Sequence, residues 1–187
     1  MNETARELAD LQRLLDSSSA AGGQRHLTGI VTPSRRLSAV RLSADMGGVL
    51  VLNVATVSGS GAPRLSAVDG HFLHGQWYFS TAATSVKARH LSARPEISVG
   101  YTPRDGYGVW AHGVATRLVG VERDRIDAYL SEVYGQPLSG MADEIVIFRV
   151  DAHWMISYAM PDDEQAAMDA ALPERDRRMA NALAALG

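Results

Sequence analysis

The side chains best suited to chemistry lie in residues 76–91, where a predicted strand passes into a predicted helix. Ser80 and Thr81 end the strand, and Thr84 or Ser85 is suited to cap the helix. The first turns of that helix combine backbone N–H groups without partners, a partial positive charge and two cations. Such a combination favours an anion, most naturally a phosphate. For this stretch alone, an exposed junction without a ligand is an equally good interpretation.

The two cations of this helix are Lys87 and Arg89. Of the 18 lysines and arginines in the chain, Lys87 is the only lysine. A lysine presents a compact point charge, whereas an arginine presents a planar fork of donors. The one point-charge cation therefore lies at the predicted anion position.

A neighbouring strand, predicted at residues 64–72, adds a second polar face. It follows a Ser/Gly-rich turn at 58–61, so we expect it to run antiparallel to the strand before it. Side chains alternate along a strand, which places Arg64, Ser66 and Val68 on one face. Adjacent antiparallel strands would bring this face close to the strand-to-helix junction. Together the two elements could hold a phosphorylated ligand, with its ring along the sheet.

Hydrophobic periodicity predicts the elements that must position these residues. Short β-branched and aromatic runs between turn residues predict five or six antiparallel strands and hence a small barrel. Helical spacing predicts helices at both ends, so the fold class is α+β and mainly β. We expect strands at 49–57, 64–72, 76–81, 96–101, 108–121 and 144–150, with a candidate strand at 153–158. We expect helices at 3–15, 85–91, 121–134 and 173–186, and a short helix that starts at Thr32 and Pro33. A flexible break is expected at 16–23.

Length and composition limit the protein classes. With 187 residues, 46% of them hydrophobic, we expect one globular domain: a helical N-terminal arm at 1–46, a barrel at 47–160 and a C-terminal helix at 161–187. A net charge of −3 without a basic stripe argues against nucleic acid as a partner. The polar N-terminus and the lack of a long apolar run predict a soluble, cytoplasmic protein without a membrane partner.

Motifs for other chemistries are missing. The chain has no cysteine, which excludes thiolate metal sites and a cysteine nucleophile. His71 and His74 should point to opposite faces of a hairpin, so we predict no metal site. Nucleophile-elbow, zinc-protease and dinucleotide-loop motifs do not occur, and we expect no catalytic protein nucleophile. Most of the histidines are expected to be surface or packing residues. His112, beside Trp110 and just before Gly113, is the one exception to keep as a candidate, with packing as the favoured interpretation.

Several motifs occur in an order that is typical of one known family. They are Ala55-Thr56-Val57, the segment 61–66, the run 78–91 with Pro95, and Gly113-Val114-Ala115. Over residues 49–118 the chain resembles the flavin-binding split-barrel family, which includes pyridoxamine 5′-phosphate oxidase and the actinobacterial flavin and deazaflavin oxidoreductases.

This resemblance implies a six-stranded antiparallel split β-barrel that binds FMN. It implies that Arg64 and Ser66 lie near the isoalloxazine and ribityl groups, with Val68 on the same face. It also implies that the phosphate group is surrounded by Ser80, Thr81, Ser85 and Lys87. Members of the family are usually homodimers with the cofactor at the subunit interface, and we expect the same here.

Three positions differ from the pyridoxamine phosphate oxidases. Asp69 replaces a lysine, Val86-Lys87 replaces an Arg-Lys pair, and Gly108 replaces a glutamine that contacts the cofactor. Fewer cations predict weaker monophosphate binding or another flavin, such as the deazaflavin coenzyme F-420, and argue against vitamin B6 oxidation. Our leading hypothesis is an FMN-dependent oxidoreductase. The alternatives are an F-420-dependent reductase, a cofactor or tetrapyrrole carrier without turnover, and an interaction module.

Overall fold

Six antiparallel strands close into a barrel in the order β1-β2-β3-β6-β5-β4. The structure, a computed structural model, describes residues 3–20 and 29–185. The strands are β1 Leu50–Val57, β2 Pro63–Leu73, β3 Gln76–Ala82, β4 Glu96–Arg104, β5 Tyr107–Arg117 and β6 Ile145–Ala159. The helices are α1 Ala5–Ala20, α2 Ala39–Asp45, α3 Val86–Ala93, α4 Gly120–Tyr134 and α5 Asp162–Ala184, with 3₁₀ turns at Pro33–Arg35 and Leu138–Gly140. The predicted α+β class and antiparallel barrel are confirmed.

Alternation of side chains decides which face of each strand lies inside the barrel. On β1, Leu50, Leu52 and Val54 are buried, while the residues between them are exposed or half-buried. These inward side chains form one core with Phe72, Trp77 and aliphatic residues of β4, β5 and β6. Burial of this apolar surface is the main stabilising contribution to the barrel.

The helical arm shares this core. Leu11 and Leu15 of α1 and Leu42 of α2 belong to the same buried cluster as the strands. The Oγ of Ser18 accepts a hydrogen bond of 2.9 Å from the backbone N–H of Met155, which fixes α1 on β6. The arm is therefore packed on the barrel rather than tethered to it.

The barrel wall opens between β2 and β3. The two strands pair only from Gly70 with Phe79 to Leu73 with Gln76. Beyond that point, residues 63–69 of β2 pair with β1 alone, and residues 80–82 of β3 pair with β6 alone. This gap, called the β2–β3 opening below, separates the two strands that carry the predicted site.

Some predicted boundaries were wrong. The strand predicted to reach residue 121 ends at Arg117, and β6 is one continuous strand instead of two. The C-terminal helix begins at Asp162, so Pro173 lies inside it. Helix α1 continues through Ala20, which removes most of the predicted break; residues 21–23 of that prediction lie outside the described part of the chain. Among the described helices, none has the length and apolar character to cross a membrane.

Candidate functional site

Helix α3 begins at a linked pair of hydroxyls. Ser85 is its N-cap, and the Ser85 Oγ accepts a hydrogen bond of 3.1 Å from the backbone N–H of Ala88. The hydroxyl of Thr81, at the end of β3, donates to the same oxygen at 3.2 Å. With both lone pairs of Ser85 Oγ occupied, its own proton is free to be donated outward. The predicted cap is thus confirmed, and it presents a donor beside the helix N-terminus.

The N-terminal end of α3 carries positive charge without a balancing acid. No acidic residue lies in its first turn, where Asp and Glu usually stabilise the helix dipole. Lys87 lies in that turn and is half-buried. The guanidinium of Arg89 donates to the backbone carbonyl of Thr84 at 2.5 Å, so this second cation also lies at the helix start. An anion bound here would relieve the unfavourable placement of these cations.

Strand β2 supplies the other side of the site. Across β1, Arg64 pairs with Thr56 and Ser66 pairs with Val54. Since Thr56 and Val54 face inward, Arg64 and Ser66 share the inward side of β2 next to the opening. The Arg64 side chain is exposed there. Within the described residues, neither Arg64 nor Lys87 has a carboxylate partner, whereas other arginines form ion pairs.

A histidine links the two sides. His90 of α3 lies one turn after Lys87, and its Nδ1 is 3.0 Å from the Oγ1 of Thr56. Thr56 is the cross-strand neighbour of Arg64. Helix α3 also packs against β1 through Ala88, so Arg64 and Lys87 lie at the same end of the barrel.

Comparison with known proteins supports the fold. No protein-family model and no curated protein matches the sequence. Among solved structures, the conserved hypothetical protein Rv2991 from Mycobacterium tuberculosis has a TM-score of 0.55 at 22% identity, over 67% of this chain and 88% of that one. A putative pyridoxamine 5′-phosphate oxidase from Listeria innocua has a TM-score of 0.52 at 14% identity, over 63% and 94%. HutZ, the haem storage protein from Vibrio cholerae, has a TM-score of 0.52 at 16% identity, over 58% and 87%.

Such neighbours are split barrels of the pyridoxamine 5′-phosphate oxidase type. The six-stranded order and the β2–β3 opening agree with them. The chain has the split-barrel fold. At these identities the similarity shows the architecture and leaves the ligand to be argued from the residues.

The split barrel does not bring all the predicted site residues to one face. Thr81 lies on the inward side of β3 with Phe79, whereas Ser80 lies on the outward side with Tyr78 and pairs with the buried Ile147. Val68 faces inward but packs partly against the core. The inward and junction positions are therefore Arg64, Ser66, Val68, Thr81, Ser85 and Lys87.

The structure adds His90 to the candidates from sequence. Its spacing of three residues from Lys87, which places both on one face of a helix, is the only signal that the sequence offers. The contact with Thr56 spans 34 positions and depends on how the split barrel folds.

The titratable groups with shifted pKa values lie away from the opening. Burial lowers the pKa of His71 and raises the pKa of Tyr78 to about 12, both under α4 on the outer side of the split barrel. The guanidinium of Arg149 and the hydroxyl of Thr116 lower the pKa of Asp151. A cavity of about 760 Å³ also lies away from the opening, between α1, the β2–β3 turn and α4. The cations and hydroxyl donors of the site are suited to gripping an anion.

Proposed function

We propose that the protein is an FMN-binding oxidoreductase that works as a homodimer. The carrying observation is the uncompensated positive charge at the start of α3. Lys87 occupies the first turn, no acid is there, and Arg64 lies across the β2–β3 opening without a carboxylate partner among the described residues. Free cations at a helix N-terminus are suited to a phosphate group.

In this proposal each residue has a distinct part in holding the cofactor. Lys87, the Ser85 hydroxyl and the first backbone N–H groups of α3 hold the phosphate, and Thr81 orients the Ser85 hydroxyl. Arg64 and Ser66 meet the ribityl and ring portion along β2. Ser80, on the outward side of β3, remains a predicted site residue to which the proposal assigns no contact with the cofactor. The bound flavin would supply the hydride chemistry, while the chain binds and orients it.

An exposed apolar face supports the homodimer. On the outer side of β1 and β2, Val51 is 66% exposed and Leu65 is 73% exposed, and Val49 extends the surface at 46%. The small residues Ala55 and Ala67 lie on the same side. Asn53 and Asp69 lie on the same side, so the face is mixed, with Val51 and Leu65 as its large exposed apolar side chains. Exposed apolar side chains grouped on one face favour an interaction site.

The deazaflavin coenzyme F-420 is the competing cofactor, because Val86 stands where the pyridoxamine phosphate oxidases have a second phosphate cation, which predicts weaker binding of a phosphate monoester. A cofactor or tetrapyrrole carrier without turnover is the competing function. It is favoured by the shared fold of the haem storage protein HutZ. Both alternatives use the same barrel. They differ from the leading proposal in the ligand that the barrel binds or in whether the bound ligand reacts.

One set of titrations separates these proposals. The purified protein is titrated with FMN, F-420 and haemin, and binding is followed by cofactor fluorescence and visible absorption. We expect saturable binding of FMN, and its reduction and reoxidation while bound. Preferential binding of F-420 would change the cofactor, and bound FMN that neither accepts nor donates hydride would favour the carrier. Absence of binding by any of them at high micromolar concentration would contradict the whole proposal.

A further inference from the structure

A cavity of about 760 Å³ lies between helix α1 and the start of α4, and is called the α1–α4 cavity below. Residues of the β2–β3 turn, β3 and β6 also line it. Its volume is within the range of about 300–1,000 Å³ that is typical of small-molecule sites. It lies at the turn that joins β2 and β3, whereas the β2–β3 opening lies at the other ends of these strands. The cavity and the anion site are therefore separate.

The walls of the α1–α4 cavity carry apolar side chains. Leu11 and Leu14 line it from α1, Val121 from α4 and Ala152 from β6. Val121 is 78% exposed, although burial of a valine side chain is favourable. A ligand with methylene groups between the two helices would remove this apolar surface from water. The walls thus favour a flexible aliphatic chain.

Each of the two helices also contributes a carboxylate that lacks a full counter-charge. On α1, Glu7 accepts a hydrogen bond of 2.7 Å from the backbone N–H of Thr4, which lowers the pKa of Glu7 and keeps it ionised. No lysine or arginine pairs with Glu7 in residues 3–20 and 29–185. On α4, Glu122 shares the guanidinium of Arg149 with Asp151, so one cation serves two carboxylates. Both helical sides of the cavity therefore favour a cation.

Two further charged residues line the cavity. Asp10 of α1 is already paired with Arg13, so it adds little to the charge of that side. Arg125 of α4 is exposed and has no carboxylate partner in the part of the chain that the structure describes. It opposes a cation on the α4 side only, whereas an anion would meet carboxylates on both sides. The charge pattern therefore favours a ligand with two positive ends.

The side chain of Tyr78 gives an independent indication of a ligand. Tyr78 is 3% exposed and lines the cavity together with Gln76. Its hydroxyl donates to the amide oxygen of Gln76 at 3.4 Å, which is longer than the usual range of about 2.5–3.0 Å. The Gln76 Nε2 is 3.5 Å from the Oδ1 of Asp151, also a long contact. Since buried polar groups normally have close partners, both side chains retain hydrogen-bonding capacity that a ligand could fill.

We propose that the α1–α4 cavity binds an aliphatic diamine. One ammonium group meets Glu7 on α1, the other meets Glu122 on α4, and the methylene chain between them lies along Leu11, Leu14 and Val121. The Tyr78 hydroxyl and the Gln76 amide accept hydrogen bonds from the ammonium groups. This inference uses no residue of the anion site and does not depend on flavin binding.

The test uses hexamethylenediamine as the probe and hexylamine, which has the same chain and one ammonium group, as the matched ligand. Binding to the full chain is measured by titration calorimetry at low salt. We expect saturable binding of the diamine at one site per chain, and binding of hexylamine that is about tenfold weaker or more. Tetramethylenediamine and octamethylenediamine measure which chain length fits the span between the two carboxylates.

Three variants define the contacts. Glu7→Gln removes the charge and keeps an acceptor for the N–H of Thr4, and it should lower the diamine affinity to near that of hexylamine. Glu122→Gln should have the same effect from the α4 side. Arg125→Gln should strengthen diamine binding, because it removes the cation that opposes the ligand. Glu174→Gln, which removes an exposed acid from α5, is the control for net charge and should bind the diamine like the wild type.

Several outcomes would overturn this site. They are absence of saturable binding of all three diamines at millimolar concentration, equal affinity for hexylamine and hexamethylenediamine, or equal weakening in Glu7→Gln and Glu174→Gln. Displacement of the diamine by an equal concentration of Mg²⁺ would show attraction to negative charge without a fitted cavity. An unchanged or weaker affinity in Arg125→Gln, a surface variant that should fold normally, would also contradict the proposed position of the ligand.

Discussion

At the scale of single residues, Lys87 is the most direct test of the anion site. Lys87→Ala removes a cation from the first turn of α3, where no acid offsets the helix charge. We expect FMN binding to weaken by about 1.5–3 kcal/mol, the usual contribution of a hydrogen bond to a charged group. Fluorescence titration gives the dissociation constant.

The matched ligand for this variant is riboflavin, which has the same ring and no phosphate. We expect its affinity to be unchanged by Lys87→Ala. Arg178→Ala, which removes an exposed cation from α5, controls for the change in net charge. If FMN and riboflavin lose affinity equally, Lys87 supports the fold of the site and does not contact the phosphate.

His71 forms a buried polar chain beneath α4. Its Nε2 lies 3.1 Å from the hydroxyl of Tyr134, which donates to Asp69 at 3.3 Å. The Tyr134 oxygen therefore accepts from Nε2–H, and Nδ1 is left to accept from Tyr129 at 3.3 Å. This chain is complete only with a neutral imidazole, and burial lowers the pKa of His71 accordingly.

The neutral state of His71 predicts how stability depends on pH. Because its pKa is lower in the folded protein than in the unfolded chain, the unfolded chain takes up the proton first as pH falls. The contribution of His71 is present in full above the unfolded pKa of about 6.5 and is lost as pH falls toward the folded pKa. We expect urea unfolding to give a smaller fall in free energy between pH 7 and pH 5 for His71→Gln than for wild type. An identical pH dependence would mean that His71 does not titrate differently on folding.

At the scale of elements, Gly113 marks a bulge between β5 and β6. The register shifts between His112 and Gly113, which leaves His153 as the extra residue on β6. A Cβ at Gly113 would lie 2.3 Å from the backbone oxygen of Asp151, so neither strand can yield without moving its backbone. We expect Gly113→Ala to lower the free energy of unfolding by about 1–3 kcal/mol.

Urea unfolding followed by Trp77 fluorescence measures this change. Gly47→Ala is the control, because a Cβ at Gly47 meets no atom within 4 Å. Equal stability of the two variants would show that β5 and β6 separate at the bulge without cost.

What the sequence could predict follows from how local each determinant is. The β3–α3 junction is predictable because its cap, its strand formers and its cations lie within one short segment. The continuity of β6 is not predictable in this way, because the bulge at His153 resembles the end of a strand. Only the pairing of β6 with β5 shows that the strand continues. In the sequence, Pro173 likewise resembles the first residue of a helix. It is tolerated inside α5 because that helix buries none of its residues, so water can bond to the carbonyl left without a donor.

The same distinction between local and distant determinants applies to the residues of the candidate site. The faces of β2 follow from period two, and Arg64, Ser66 and Val68 are on one side as expected. By the same period of two, Ser80 and Thr81 point to opposite faces of β3. Choosing site residues by their hydroxyl groups alone overlooks this difference. The contact of His90 with Thr56 and the packing of Trp110 on Gly100 join distant strands, and they need the closed barrel to appear.

At the scale of the whole molecule, the outer face of β1 and the first half of β2 is exposed in the described part of the barrel. Helix α4 covers the outer side where β3, β6 and the end of β2 meet, through Ile126 and Leu130. Helix α3 contacts β1 at the inward Thr56, and on the outer face of β1 and the first half of β2, Val51 and Leu65 are exposed. Stable interfaces bury about 800 Å² on each partner. In the proposed homodimer this face is the contact between the two copies.

Leu65→Arg tests this assembly together with the cofactor site. The substitution places a charge in the centre of the apolar face, where its desolvation opposes association. We expect the wild type to elute as a dimer and Leu65→Arg as a folded monomer in size-exclusion chromatography with light scattering. In the proposed dimer the cofactor lies at the subunit interface, so FMN affinity should fall with dissociation. Met179→Arg, on the exposed side of α5, should remain dimeric and bind FMN normally. A Leu65→Arg protein that stays dimeric would exclude this face as the interface, and one that is monomeric with unchanged FMN affinity would show that each chain binds its cofactor alone.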